Sequence, residues 1–192
     1  MSQTRRQGVL RIPVGPDDHQ AGPVDAPITL VEYGDFQCPW CGRAHPIVTA
    51  LQARFGTKLR FVFRNFPLAE LHPNAEHAAE AAESVNASSG SAAYWRMHHH
   101  LFEHQQDSEN ALDDAHLIEY ASAIGADPAQ VAKDLQSGVR EARVEADFMS
   151  GVRSGVNGTP TFFINGQRFD GDWTRREQFT AALEEASHAP GV

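Results

Sequence analysis

Cysteine is nearly missing from this chain of 192 residues, which has only Cys38 and Cys41. A scaffold of structural disulfides is thereby excluded. A zinc knuckle, which takes two such pairs, lacks its second half. No window approaches the roughly 20 apolar residues of a membrane-spanning helix, so membrane insertion is not expected. Positive charge is scarce too. Lys and Arg total 16 against 25 acids, for a net charge of −9, and basic residues cluster only as Arg5-Arg6 and Arg175-Arg176. Nucleic acid is therefore not an expected partner. The first residues are basic, but Gly8 to Pro27 holds prolines, aspartates and a histidine where a secretory signal needs an apolar core. On these grounds the expected location is cytoplasmic, in keeping with the lack of cysteine outside the pair. Hydrophobic residues at 41% and charged residues at 21% describe a globular chain.

What is present is concentrated in Cys38-Pro39-Trp40-Cys41. Upstream, Ile28-Thr29-Leu30-Val31-Glu32-Tyr33 is rich in strand-forming residues. Downstream, Ile47, Val48, Leu51 and Phe55 fall on one helical face. The dithiol thus sits at a strand-to-helix junction, with Cys38 at or just before the first turn. Unpartnered amides and the helix dipole place partial positive charge there, favouring a thiolate. A thiolate is both the nucleophile and the good leaving group of disulfide exchange. Cys41, about one turn further on, is placed to close a disulfide with Cys38 and to resolve a mixed disulfide. As a mere staple, so small a loop would add little stability. Redox chemistry is the stronger reading.

Residues 1–26 read as an arm, with Val9 to Val14 a short edge strand and His19 a solvated side chain in a Pro-, Gly- and Asp-rich loop. A strand near 28–35, the helix carrying Pro46, and a strand from Lys58 to Phe66 make a parallel βαβ unit. Five consecutive helices follow: Pro73–Val85, Ala92–Gln105, Asp113–Ile124, Pro128–Leu135 and Arg140–Val152. Strand character returns at Thr159–Ile164, and Asn165-Gly166 turns it into a hairpin with Gln167-Arg168-Phe169. A last helix spans Thr174 to about Ser187. The phenylalanines Phe61, Phe63, Phe66, Phe162 and Phe163 belong to the sheet core. His98-His99-His100 and His104 invite a metal, but no H-E-x-x-H pattern is present and further ligands would be needed. A solvated or partly packed helix face is the expectation there, with no metal bound, and His45 is read as peripheral.

These features resemble the thioredoxin superfamily, and within it the DsbA-like branch, over nearly all of residues 25–185. The resemblance rests on Cys38-Pro39-Trp40-Cys41, on Gly158-Thr159-Pro160-Thr161-Phe162-Phe163-Ile164-Asn165-Gly166 as the cis-proline loop with its hairpin, and on the helical block between the two parts of the sheet. It implies an α/β, thioredoxin-like fold with an inserted all-helical domain. The divisions expected are an arm at 1–26, thioredoxin-like halves at 27–68 and 151–192, and the helical insertion at 69–150. Trp40 departs from the histidine of strongly oxidising DsbA and from the proline of thioredoxin, which leaves the redox direction open.

The implied function is thiol–disulfide exchange with protein or peptide substrates through a mixed disulfide, with no bound cofactor and with a separate, unidentified redox partner. Cys38 is the attacking thiolate and Cys41 the resolving thiol. Glu32, six residues before Cys38, matches the family's buried acid and is assigned the role of proton acceptor for Cys41 in resolving the mixed disulfide; Asp35 is a weaker rival. Thr159 and a cis Pro160 are expected to oppose the dithiol and offer backbone to an extended substrate, with Trp40 as an apolar contact. The alternative is a redox-sensing chaperone for unfolded chains. A glutathione-dependent transferase is disfavoured, since those relatives carry serine at the first active-site position.

Overall fold

The computed structural model describes residues 8–188. A five-stranded sheet has β1 (His19–Ala21), β2 (Ile28–Gly34), β3 (Leu59–Asn65), β4 (Thr161–Ile164) and β5 (Gln167–Arg168) in the spatial order β1-β3-β2-β4-β5. The β2–β3 pair is parallel and joined by α1 (Pro39–Phe55) as a βαβ unit; the other pairings are antiparallel. Alternation along the strands then decides which side chains meet α1. Ile28 and Leu30 enter the core shared with Cys38, Cys41, Val48 and Leu51, while Val31 and Tyr33 enter a smaller core with Val62, Phe66 and Phe163 on the opposite face. Glu32, two residues from Leu30, therefore points toward the dithiol side. The α7 helix (Arg176–His188) buries Phe179 and Leu183 in the larger core.

Between β3 and β4 lie α2 (Ala75–Ser89), α3 (Ser91–His104), α4 (Asp114–Ala123), α5 (Pro128–Ser137) and α6 (Glu141–Arg153). Alanine makes α2 the centre of this group. Ala75, Ala78, Ala79, Ala81 and Ala82 are all buried, since small side chains let several helices approach one axis. Gly90 separates α2 from α3 at φ 79°, a backbone state that costs a side-chain-bearing residue.

The arm differs from the sequence expectation. Val9 makes a single bridge to Gln167, and the edge strand is His19–Ala21, paired with β3. Nothing in His-Gln-Ala favours a strand; tertiary contacts impose it. Arg64, buried on β3, grips Asp18 through two nitrogens at 2.7 and 2.9 Å and holds the carbonyls of Ile12 and Pro13 and the Tyr33 hydroxyl. Although burial pushes the Asp18 carboxyl up, that guanidinium holds it below its usual range.

His19 is accordingly not solvated. It stacks on Tyr94 with ring centroids 3.5 Å apart, and its Nε2 lies 2.8 Å from Glu83 Oε1. His19→Phe keeps the stack and leaves Glu83 one partner short. We expect it to lower the free energy of unfolding by about 1–3 kcal/mol, measured by urea denaturation.

The histidines of α3 divide by face. His98 is buried, whereas His100 packs on His104 and Tyr120. His98 is thus packed more deeply than the solvated or partly packed face expected of these histidines. Its position on the sheet side of α3 is dictated by the helical register of Tyr94, Leu101 and Phe102, which share the core.

Candidate active site

Cys38 occupies the N-cap of α1 in extended backbone (φ −69°, ψ 120°), and Pro39 fills the first helical position, where its missing amide is no loss. The Cys38 carbonyl accepts from Gly42 N at 3.1 Å, and the Cys38 amide donates to Asp35 O at 3.1 Å. Both thiols are free. Cys38 keeps 4% of its surface and Cys41 none, so Cys38 is the sulfur nearer to solvent.

The two sulfurs have opposite environments. The Cys41 thiol donates toward Cys38, and the Thr159 hydroxyl and the amides of Cys41 and Trp40 add to it; together they outweigh burial and bring Cys38 down to about 5. For Cys41 the burial, its donation to Cys38 and the nearby Glu32 push the thiol well above its ordinary value, with only the Asp35 amide at 3.5 Å opposing.

Across the site, Thr159 and Pro160 are joined by a cis peptide bond, and the Thr159 carbonyl lies 3.5 Å from Cys38 Sγ. The Thr159 hydroxyl oxygen is buried and has no hydrogen-bond partner among the described residues. It is thus available to donate once Cys38 ionises. Beneath, Glu32 is 3% exposed, between Phe63 and Phe162 in register, and its Oε1 has no hydrogen-bond partner among the described residues. Burial, and then the Cys38 charge, raise its carboxyl to about 8. A carboxyl held neutral at pH 7 beside a buried thiol is able to supply a proton.

Asp35 has a different task. It is buried and saturated: Oδ1 accepts from Gln37 N at 2.7 Å, and Oδ2 from Leu68 N at 2.9 Å, with His72 Nδ1 at 2.7 Å. It fastens the loop before Cys38 to the loop after β3. Gln105 supports the same loop, donating to Phe36 O at 2.8 Å. A Cβ at position 42 would lie 2.6 Å from Gln105 Oε1, so Gly42 admits that side chain. Neither Gln105 nor His72 carried a sequence signal, because both reach the loop from distant segments.

Trp40 is 51% exposed, with Arg43 4.7 Å over its ring and Trp173 edge-on at 6.4 Å. Trp173 in turn meets Phe162 at 6.1 Å. The sequence reading did not single out Trp173; its one cue is a large aromatic in the polar loop after the hairpin. Cys38, Cys41, Glu32 and Thr159 are thus brought together, with Pro160 in the opposing loop and Trp40 on the rim.

Comparison with known proteins agrees with this fold. The structure resembles oxidised BdbD from Bacillus subtilis at a TM-score of 0.85 with 24% identity, covering 95% of this chain and 100% of that one. It resembles alpha-DsbA1 from Wolbachia pipientis at 0.78 with 19% identity, covering 93% and 94%. In sequence, the chain is 42% identical over 178 residues to the Na(+)/H(+) antiporter NhaA 1 of Salinispora arenicola, covering 92% of this chain and 26% of that protein. A similar match, 42% over 164 residues, covers 84% of this chain and 25% of the NhaA 1 antiporter of Mycolicibacterium vanbaalenii. The chain therefore spans about a quarter of the length of these relatives. The family model described as thioredoxin matches residues 15–185, and the chain belongs to the thioredoxin family, with the fold of its DsbA-like members.

Proposed function

We propose that this chain is a thiol–disulfide oxidoreductase that accepts electrons from protein or peptide dithiols. The observation that carries this reading is the asymmetry of the two sulfurs, with Cys38 drawn down to about 5 and Cys41 driven up. A stabilised Cys38 thiolate stabilises the reduced protein, which makes its disulfide a stronger oxidant.

In the oxidised protein a substrate thiolate attacks Cys38 Sγ and breaks the Cys38–Cys41 bond. Cys41 leaves with the electron pair and takes the proton of Glu32. A second substrate thiolate then attacks the substrate sulfur of the mixed disulfide, and Cys38 departs as its stabilised thiolate. Two electrons have moved from the substrate dithiol to the protein, and a separate partner must remove them. This direction suits an oxidising compartment better than the cytoplasm. The antiporter names describe whole proteins of which this chain matches a quarter, so ion transport is not carried over to it. No helix of the described residues is long and apolar enough to cross a membrane.

The test is the reduction potential of the pair in glutathione buffers. With Cys38 drawn down, a value in the oxidising range, about −180 to −120 mV, is expected. A value below about −230 mV would make the protein a reductant and overturn the direction. Absence of any reversible two-electron couple would remove the activity itself.

The Trp40–Trp173 pair, exposed at Trp40 and half-buried at Trp173, is the apolar platform beside Cys38. Trp40→Ala is expected to raise KM for a dithiol peptide about fivefold with kcat little changed, as loss of about 1 kcal/mol of aromatic contact predicts. Steady-state kinetics on wild type and variant decide this.

A further inference from the structure

We propose that His45, His98 and His99 form a binding site for a transition-metal ion of the zinc class, which pins the helix following the dithiol to α3. The inference stands apart from the redox reading, since it uses none of the residues placed in that chemistry.

Three observations carry it. The first is convergence: one ring nitrogen from each of these three imidazoles lies within 4.8 Å of the others, and His99 Nδ1 is 3.3 Å from His45 Nε2. Zinc–nitrogen bonds of about 2.0–2.1 Å in tetrahedral geometry separate their nitrogens by roughly 3.3–3.4 Å, so one pair already has the required spacing. The second is an orphaned buried group. His98 is 2% exposed, and neither Nδ1 nor Nε2 has a hydrogen-bond partner among the described residues. It is boxed by Phe63 at 4.6 Å and by Trp95 and Phe102 at 5.0 Å between ring centroids. An apolar ring would fill that box without leaving two polar atoms unpaired, so packing does not account for an imidazole there.

The third is the balance of access and order. His45 and His99 are only half-buried, which gives an ion a way in, and His45 is held flat on Phe102 with centroids 5.2 Å apart. Three neutral nitrogens with an open fourth position suit zinc and its neighbours, not magnesium or calcium, which take oxygen. Glu103, one turn beyond His99 on α3 and exposed, supplies an anionic neighbour for the incoming charge. His45 itself stands one turn after Cys41 on α1, so an ion held here ties the base of the active-site helix to α3.

The test uses untagged protein carrying the Cys38–Cys41 disulfide, so that thiolates do not compete. Zn2+ is titrated against a chromophoric chelator, and Co2+ is followed by its visible absorption. One equivalent binding with Kd below about 1 μM, a metal-dependent rise in Tm, and an intense tetrahedral Co2+ band are expected. His45→Gln and His99→Gln, both at half-buried positions and checked for native circular dichroism, should each weaken binding more than about 100-fold, beyond the loss of an outer-shell partner. A His100→Gln/His104→Gln double variant should bind as the wild type does, although those rings lie 4.2 Å apart. No stoichiometric binding tighter than about 10 μM overturns the proposal. So does binding that survives His45→Gln and His99→Gln, or that disappears with the His100 and His104 changes.

Discussion

Cys38→Ser lowers the rate of disulfide exchange by at least about four orders of magnitude, because a serine hydroxyl neither ionises at neutral pH nor forms the mixed disulfide. Cys41→Ser behaves differently. It leaves the first attack in place and accumulates a substrate joined to Cys38, visible as a species sensitive to dithiothreitol on non-reducing gels. If the two variants fail alike, with nothing trapped, the division of labour between the sulfurs is wrong. In the reduced wild type, the rate of alkylation by iodoacetamide should rise through a midpoint near pH 5 and then stay level past neutrality, reporting Cys38 alone.

The cause of that low midpoint is testable separately. The donation from Cys41 is the largest influence drawing Cys38 down. Serine at position 41 retains a donor and alanine does not. The midpoint should therefore move further toward the free-thiol value of about 8.5 in Cys41→Ala than in Cys41→Ser. The stability of the reduced protein follows the same group. Because the folded thiol ionises near pH 5 and the unfolded one near 8.5, the contribution of Cys38 is complete above the unfolded value. It is lost as pH falls through 5.

Much of this site was legible before any coordinates. A strand, a C-x-x-C and a helix with one apolar face leave few places for Cys38 other than an N-cap, and the structure puts it there. The parallel pairing of β2 with β3 and the turn at Asn165-Gly166 follow from equally local signals. Glu32 was harder to read, because a strand glutamate is ordinarily on a wet face. Only the period of two, counted from Leu30, places it on the side of the dithiol.

What stayed hidden depends on long-range partners. His19 lies in a stretch whose composition reads as loop, and it becomes a strand because Arg64 anchors the neighbouring Asp18. Gln105 closes on the Phe36 carbonyl across 69 positions, and Asp35 meets His72 across 37. No periodicity reports such contacts. The histidines show the same limit: spacing along α3 pairs His100 with His104, while the convergence of His45 with His98 and His99 requires the packing of two helices.

Glu32→Gln should separate catalysis from stability in opposite directions. The carboxyl is taken to about 8 by burial and by the Cys38 charge. In the unfolded chain it ionises near 4.3. Between those values the folded state binds the extra proton, so wild-type stability falls as pH rises from about 4.5 to 8 and levels off above. The total penalty is on the order of 4–5 kcal/mol. A glutamine does not titrate. It does place an amide where Oε1 has no partner among the described residues, at a cost of about 1–3 kcal/mol. The variant should therefore be the less stable protein below pH 5 and the more stable one above pH 8, with the curves crossing between. Catalysis should suffer below about pH 8, where the wild-type carboxyl still holds its proton. Without the acid, Cys41 leaves as an unprotonated thiolate in a buried site, and its departure should slow by about 100-fold, the lower range for a lost general acid. Urea unfolding across pH 4–9 measures the first effect and stopped-flow tryptophan fluorescence the second. Parallel stability curves for the two proteins would place Glu32 outside the titrating site, and an unchanged rate of Cys41 departure would leave its proton to come from solvent.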